Sequence, residues 1–137
     1  MRRVWVYNPH TGGTKIPPRV QESVKRRIQA YAAKHHAGKF TRIDVRFRGA
    51  LCYIDAYQEP DVPPRYRPPT GETRKEWIER LRNTPHHLCR MRYNGNEERW
   101  SFSFYTYAHE TYEPSFFLSG DDHGTPEEAF ETSAMFL

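Results

Sequence analysis

Two aspartates pose the first chemical question in this chain. In RIDVRFRGALCYIDAY, Arg42 to Tyr57, two alternating runs flank Gly49-Ala50. A two-residue type II′ turn there pairs Phe47 with Cys52, Val45 with Ile54 and Ile43 with Ala56, all apolar. The intervening positions pair Arg46 with Tyr53, Arg42 with Tyr57 and Asp44 with Asp55. A one-residue slip would invert every side chain, so this sorting supports the register. Like charges directly opposite destabilise a sheet, and three chemistries answer to such a pair. Arg42, Arg46 and Arg90 can neutralise it in a surface charge lattice. The carboxylates can share a proton as a general acid/base dyad. They can also approach a hard cation such as Mg2+. Two carboxylates alone make a poor site for it, and neither metal nor cofactor is expected.

Histidines stand at 10, 35, 36, 86, 87, 109 and 123. His86-His87 opens a strand, which sends the two rings to opposite faces. His109 and Glu110 fall in a hairpin loop, and His109 joins Asp44 and Asp55 as a candidate for acid/base work. Asp121, Asp122 and His123 form a loop trio of metal-ligating types, although loop acids are usually solvated. Ser101 and Ser103 lie on a strand with no evident base beside them. No HExxH or nucleophile elbow occurs, and the Gly12-Gly13 pair lacks the spacing of a phosphate-binding loop, so it reads as a turn. Cys52 and Cys89 read as two buried thiols. A small RNA-cleaving enzyme can assemble Arg, His, Tyr and Glu from separate strands, and those types are present without a diagnostic arrangement.

The elements that must position these groups follow from pattern and punctuation. VWVY, residues 4–7, reads as a short strand. From Pro17 to Ala37 a helix places Val20, Val24, Ile28, Tyr31, Ala32 and His35 on one face, with Pro17-Pro18 at its start and Gly38 at its end. Strands follow at 41–47 and 51–57, then the proline-rich loop QEPDVPPRYRPPTGE. A second helix spans about Arg74 to Asn83, capped by Thr73 with Glu76 and turning Trp77, Ile78 and Leu81 inward. HLCRMRY and RWSFSFYTY form a hairpin, with Met91 opposite Trp100, Cys89 opposite Phe102 and Arg92 opposite Arg99. A further strand covers 112–118. Thr125, Pro126 and Glu128 open a third helix. Hairpin-linked strands imply a single α+β domain over 1–137, an antiparallel sheet of about five strands with two to three helices packed on one face.

That sheet has an apolar face and a face rich in Arg, Tyr, Ser and Asp. The polar face can simply be solvated. It can also be a recognition platform, with Tyr rings stacking on planar groups and Arg pairing with phosphate or carboxylate. The ligand-binding candidates are Arg42, Arg46, Tyr53, Tyr57, Arg90, Arg92, Arg99 and Tyr105.

Charge layout bears on the partner. The chain carries +4 overall and 15% aromatic residues. Residues 1–48 hold twelve Lys/Arg against two Asp/Glu, whereas seven acids and no Lys or Arg lie from Ala108 onward. Such asymmetry marks a polyanion-binding face, or a basic helix that packs near the acidic segment in this chain or a second copy. No apolar run approaches a membrane span and no signal-peptide core follows the N-terminus, so a cytoplasmic protein is expected.

Four segments resemble, together, a family of small bacterial proteins described only as hypothetical: FRGALCYIDAY, GETRKEWIERLRNTPHHLCRMRY, RWSFSFYTYAHETYEP and GTPEEAF. The resemblance covers roughly 16–137. It implies a free-standing cytoplasmic protein and supplies no catalytic residues. The leading functional expectation is a non-enzymatic binding protein that holds an anionic partner, such as nucleic acid, on the Arg/Tyr face and the basic helix. The alternatives are a small hydrolase or nuclease built on Asp44 and Asp55 with nearby Arg or His, and a homo-oligomeric interaction module.

Overall fold

The computed structural model describes residues 12–69 and 71–137; the strand expected at 4–7 lies outside them. The elements run α1 (Pro18–His35), β1 (Arg42–Arg48), β2 (Leu51–Tyr57), α2 (Arg74–Arg82), β3 (His86–Arg92), β4 (Trp100–Thr106), β5 (Thr111–Pro114), β6 (His123–Gly124) and α3 (Pro126–Ser133), with a closing 3-10 turn at Ala134–Phe136. The sheet is antiparallel in the order β1-β2-β3-β4-β5, and the two-residue β6 pairs with the start of β4. The fold is α+β, as the alternation implies.

The first hairpin has the register read from the sequence, including Asp44 opposite Asp55. Gly49 takes φ +61 while Ala50 keeps a negative φ, the combination a type II′ turn requires. The second hairpin is displaced by two residues from expectation. Cys89 faces Phe104, Met91 faces Phe102, and Arg92 faces Ser101 rather than Arg99. A two-residue shift preserves which face each side chain takes, so hydrophobic alternation cannot detect it. The longer turn absorbs the difference, with Arg99 donating its N–H to the Asn96 carbonyl and Trp100 Nε1 donating to the Glu97 carbonyl. The strand expected over 112–118 also ends early, at Pro114. Phe117 instead turns down into the core.

The apolar face carries Ile43, Val45, Cys52, Ile54, Ala56, Cys89, Met91, Trp100 and Phe102, all buried. α1 covers it with Val20, Val24, Ile28 and Ala32, and α3 with Ala129 and Phe130. His35, expected on the inner face of α1, is exposed; His36 is buried in its place, stacked on the Phe130 ring at 5.6 Å. Both thiols are free and buried, and burial pushes Cys89 up to about 12 and Cys52 upward as well. That removes thiolate chemistry near neutral pH.

α2 departs from expectation. Its Thr73–Glu76 capping box forms, but none of its residues is buried. Trp77, Ile78 and Leu81 are half-buried, because α2 sits at one end of the sheet rather than under it. It is tied there by polar links, from Arg74 Nη1 to the Pro63 and Tyr66 carbonyls and from Arg82 to Glu59. Two helices therefore pack on the apolar face. Among the described residues no helix is long and apolar enough to cross a membrane.

The basic helix and the acidic C-terminal segment meet within the chain. Arg27 of α1 makes a bidentate pair with Glu127 of α3 at 2.7 and 2.8 Å and another with Glu98 at 2.8 Å, and reaches Glu97 at 3.1 Å. Four residues on, Tyr31 donates to Glu131 Oε1, which also faces His36 Nε2 at 2.9 Å. Arg27 holds the Glu98 and Glu127 carboxyls below the usual glutamate range. A depressed carboxyl contributes stability above its unfolded value, near 4.3, and loses it as pH falls through the folded value. Arg27→Met removes the cation and leaves three carboxylates together. We expect a loss of roughly 1–2 kcal/mol at pH 7 in urea unfolding. The gap from wild type should narrow as pH drops below about 4.5.

Candidate functional site

The polar face becomes specific at one irregularity. β2 and β3 pair Ile54 with Cys89, but the next pair is Asp55 with His87, so Leu88 is an extra residue on β3. Strict alternation back from Cys89 and Arg90 would send His87 under the sheet and Leu88 onto the polar side. The bulge reverses this. Leu88 is buried in the core, and the His87 imidazole stands beside Asp55. Bulges commonly re-aim a side chain in this way, and they are over-represented next to active sites.

Asp55 is only 3% exposed. An ionised carboxylate at that depth needs close partners, and it has two. Arg46 Nε donates to Oδ2 at 3.0 Å, with Nη2 3.0 Å from the same oxygen. His87 Nδ1 lies 2.9 Å from Oδ1. The carboxylate selects the tautomer with a proton on Nδ1, which leaves the Nε2 lone pair of a neutral ring available. The His87 side chain retains 31% of its exposure, and among the described residues Nε2 has no hydrogen-bond partner.

Aromatic rings enclose the imidazole. Tyr105 lies 4.8 Å from it centroid to centroid, Tyr107 is stacked at 6.3 Å and 16°, and Tyr112 sits at 6.5 Å. The His87 backbone N–H donates to the Tyr107 phenol oxygen at 2.9 Å, which fixes ring against strand. Burial, with Asp55 nearby, raises the Tyr112 phenol far above its ordinary value, so it remains a neutral donor at any physiological pH. Beyond this row the Arg90 guanidinium covers the Tyr112 ring at 4.9 Å and Arg46 covers Tyr53 at 4.9 Å.

Asp44 plays a different part. It is opposite Asp55 in the ladder but more exposed, and Arg42 neutralises it through Nε to Oδ1 at 3.1 Å. Arg42 in turn lies 4.0 Å over the Tyr57 ring. The facing aspartates are thus each compensated by their own arginine. Arg90, expected to help neutralise the pair, is buried against Tyr112. His109 occupies the exposed β4–β5 turn and pairs with Glu113; among the described residues neither aspartate is its partner. Arg92 lies one row further along the face, across from Ser101, and Arg99 precedes β4 as an exposed turn residue. Tyr105 is the one ring among the sequence-derived candidates that reaches the His87 site. Among the described residues no group of three or more His, Cys, Asp and Glu could hold a metal ion.

His87, Tyr107 and Tyr112 were not singled out by sequence reasoning as ligand or catalytic residues. The available signal was the juxtaposition of HH with LCRMR. Its apolar Leu88 breaks the polar/apolar alternation at the one point where a bulge repairs it.

A groove of about 600 Å3 lies at the same end of the sheet, between α2, the 38–41 turn, the proline-rich segment and the start of β3. Phe40, Trp77, Leu81 and Pro85 line it, as does Tyr107, whose ring therefore forms a wall shared with His87. Comparison with family models, curated proteins and solved structures finds no match to this chain.

The contrast between the two aspartates is measurable. Asp44→Asn should change stability by less than about 0.5 kcal/mol, as expected for an exposed ion pair. Asp55→Ala strands Arg46 and His87 and empties a buried position, and should cost about 2–4 kcal/mol in denaturant unfolding. Equal costs would show that the Asp55 environment is no more demanding than that of Asp44.

Proposed function

We propose that this protein is an acid–base enzyme in which His87 is the catalytic group, acting on an anionic ester such as a phosphodiester. The observation that carries the reading is the Asp55–His87 pair, a buried carboxylate 2.9 Å from Nδ1 behind a partly exposed ring. That arrangement orients imidazole as a base at Nε2 and stabilises imidazolium once it forms. His87 Nε2 takes the proton of an attacking hydroxyl as its oxygen bonds to phosphorus. The bond from phosphorus to the leaving oxygen breaks, and the imidazolium returns the proton to that oxygen. Arg90 and the Asp55-paired but half-exposed Arg46 lie one row along the sheet, and their donors suit a substrate that carries negative charge. Tyr112, held neutral, is suited to donate to a non-bridging oxygen. The groove beside Tyr107 gives the apolar remainder of a substrate a surface that includes Trp77.

The test is hydrolysis of single-stranded RNA and of bis(p-nitrophenyl) phosphate. His87→Ala should lower the rate about 10²–10⁴-fold, the usual contribution of a positioned general base, with unfolding midpoints near wild type. Asp55→Asn should lower kcat more than it raises KM, since it disturbs ring orientation rather than substrate contact. Turnover that survives His87→Ala would sink the assignment.

A second reading has its own support, in the three guanidinium–tyrosine stacks at Arg42/Tyr57, Arg46/Tyr53 and Arg90/Tyr112. Such a surface can bind a polyanion without turnover. Because Asp44 and Asp55 already occupy Arg42 and Arg46, few counterions should be released. Retention on an RNA column should therefore weaken only shallowly with salt, with a log–log slope of about −1 to −2. A slope steeper than about −5, or no retention at low ionic strength, would count against it.

A further inference from the structure

The two-residue β6 builds a second constellation on the polar face. β6 pairs His123 with Ser101, and β3 pairs Arg92 with the same serine. The three side chains thus form a row across three strands, with directly opposed neighbours about 4.5–5.5 Å apart at Cβ. Asp122 Oδ1 lies 2.9 Å from His123 Nδ1, and His123 holds that carboxyl below the usual aspartate range. The carboxylate is therefore engaged in orienting the ring. Among the described residues His123 Nε2 has no hydrogen-bond partner.

This row opens into a cavity of about 210 Å3. Its polar wall is Arg92, Ser101, Ser115, His123 and Asp122, whose carboxylate is taken up by His123 Nδ1, and its apolar wall includes Phe102, Pro114 and Phe116. Phe116, 66% exposed, forms the open aromatic rim of the cavity. The cavity is smaller than pockets that take drug-sized ligands, ~300–1,000 Å3, a size that suits about one ring and its substituent. A cation, a hydroxyl and a donor-capable imidazole beside an aromatic rim are complementary to a compact anion on a planar apolar group. From Ser101 to Tyr105 is four residues of β4, ~13 Å at ~3.3 Å each, so the cavity is separate from the His87 ring.

We propose that this cavity is a binding site for a small aryl or heteroaryl anion, with Arg92, Ser101 and His123 holding the anionic group and Phe116 covering the ring. The assignment does not rest on the catalytic role of His87.

Phenyl phosphate is the probe, titrated into the full chain and followed by the imidazole Hε1 signals in NMR. A saturable shift of His123 is expected, with His109 unmoved in its distant turn. Inorganic phosphate should bind at least fivefold more weakly, for want of the ring. Phe116→Ala, an exposed substitution that leaves the core untouched, should weaken phenyl phosphate at least fivefold. His123→Gln should weaken both probes. The proposal is overturned if no shift saturates, if both variants bind as wild type, or if phenyl phosphate moves His87 alone. The last outcome would assign the ligand to the catalytic site instead.

Discussion

A carboxylate that cannot reach water must be paired, and Asp55 imposes that requirement on the centre of this sheet. Its partners come from both neighbouring strands, Arg46 on β1 and His87 on β3. The second partner is available only because β3 carries an extra residue at Leu88. The bulge thus serves packing and electrostatics together. It buries a leucine that strict alternation would turn to the polar face, and it brings the His87 imidazole up beside Asp55. Neither gain is available in a regular ladder, so the irregularity is kept by two independent terms.

The same logic organises the periphery. Arg27 faces three glutamates from two different elements, which ties α1 to the β3–β4 turn and adds a polar link to its ring contacts with α3. The strongly basic first third of the chain and its acidic end are thereby partly consumed in holding each other. This lowers the charge left for an external polyanion. It is also why the net +4 says less about partners than the layout suggested. On the polar face Arg42 and Arg46 are likewise paired to Asp44 and Asp55. What stands out after this compensation is a partly exposed histidine with a carboxylate behind it.

Two regions of the polar face combine a His–Asp contact with arginine and aromatic neighbours. At His87 the carboxylate is buried and on the neighbouring strand, so the pair is held by tertiary structure. At His123 the carboxylate is the preceding residue and exposed, so the pair is local and its cavity carries the argument. The difference in burial separates the roles proposed for them: a rigid, partly dehydrated base in one case and an adaptable anion contact in the other.

The sequence by itself determined what local chemistry controls. Gly49 at the first turn position set the β1–β2 register, and apolar alternation then placed Asp44 opposite Asp55. Thr73 with Glu76 and Thr125 with Glu128 marked two helix starts through side-chain caps. Tertiary structure decided what periodicity cannot encode. A two-residue slide of β4 against β3 leaves every face unchanged, so Trp100 opposite Met91 looked as good as Phe102. Amphipathicity in α2 did not reveal that its apolar side would end half-buried over a groove. The bulge at Leu88 adds one residue to a strand, and only the competition between burying Leu88 and pairing Asp55 fixes where it falls. That competition involves three strands at once, and it is why His87 became visible as a site residue only in the folded chain.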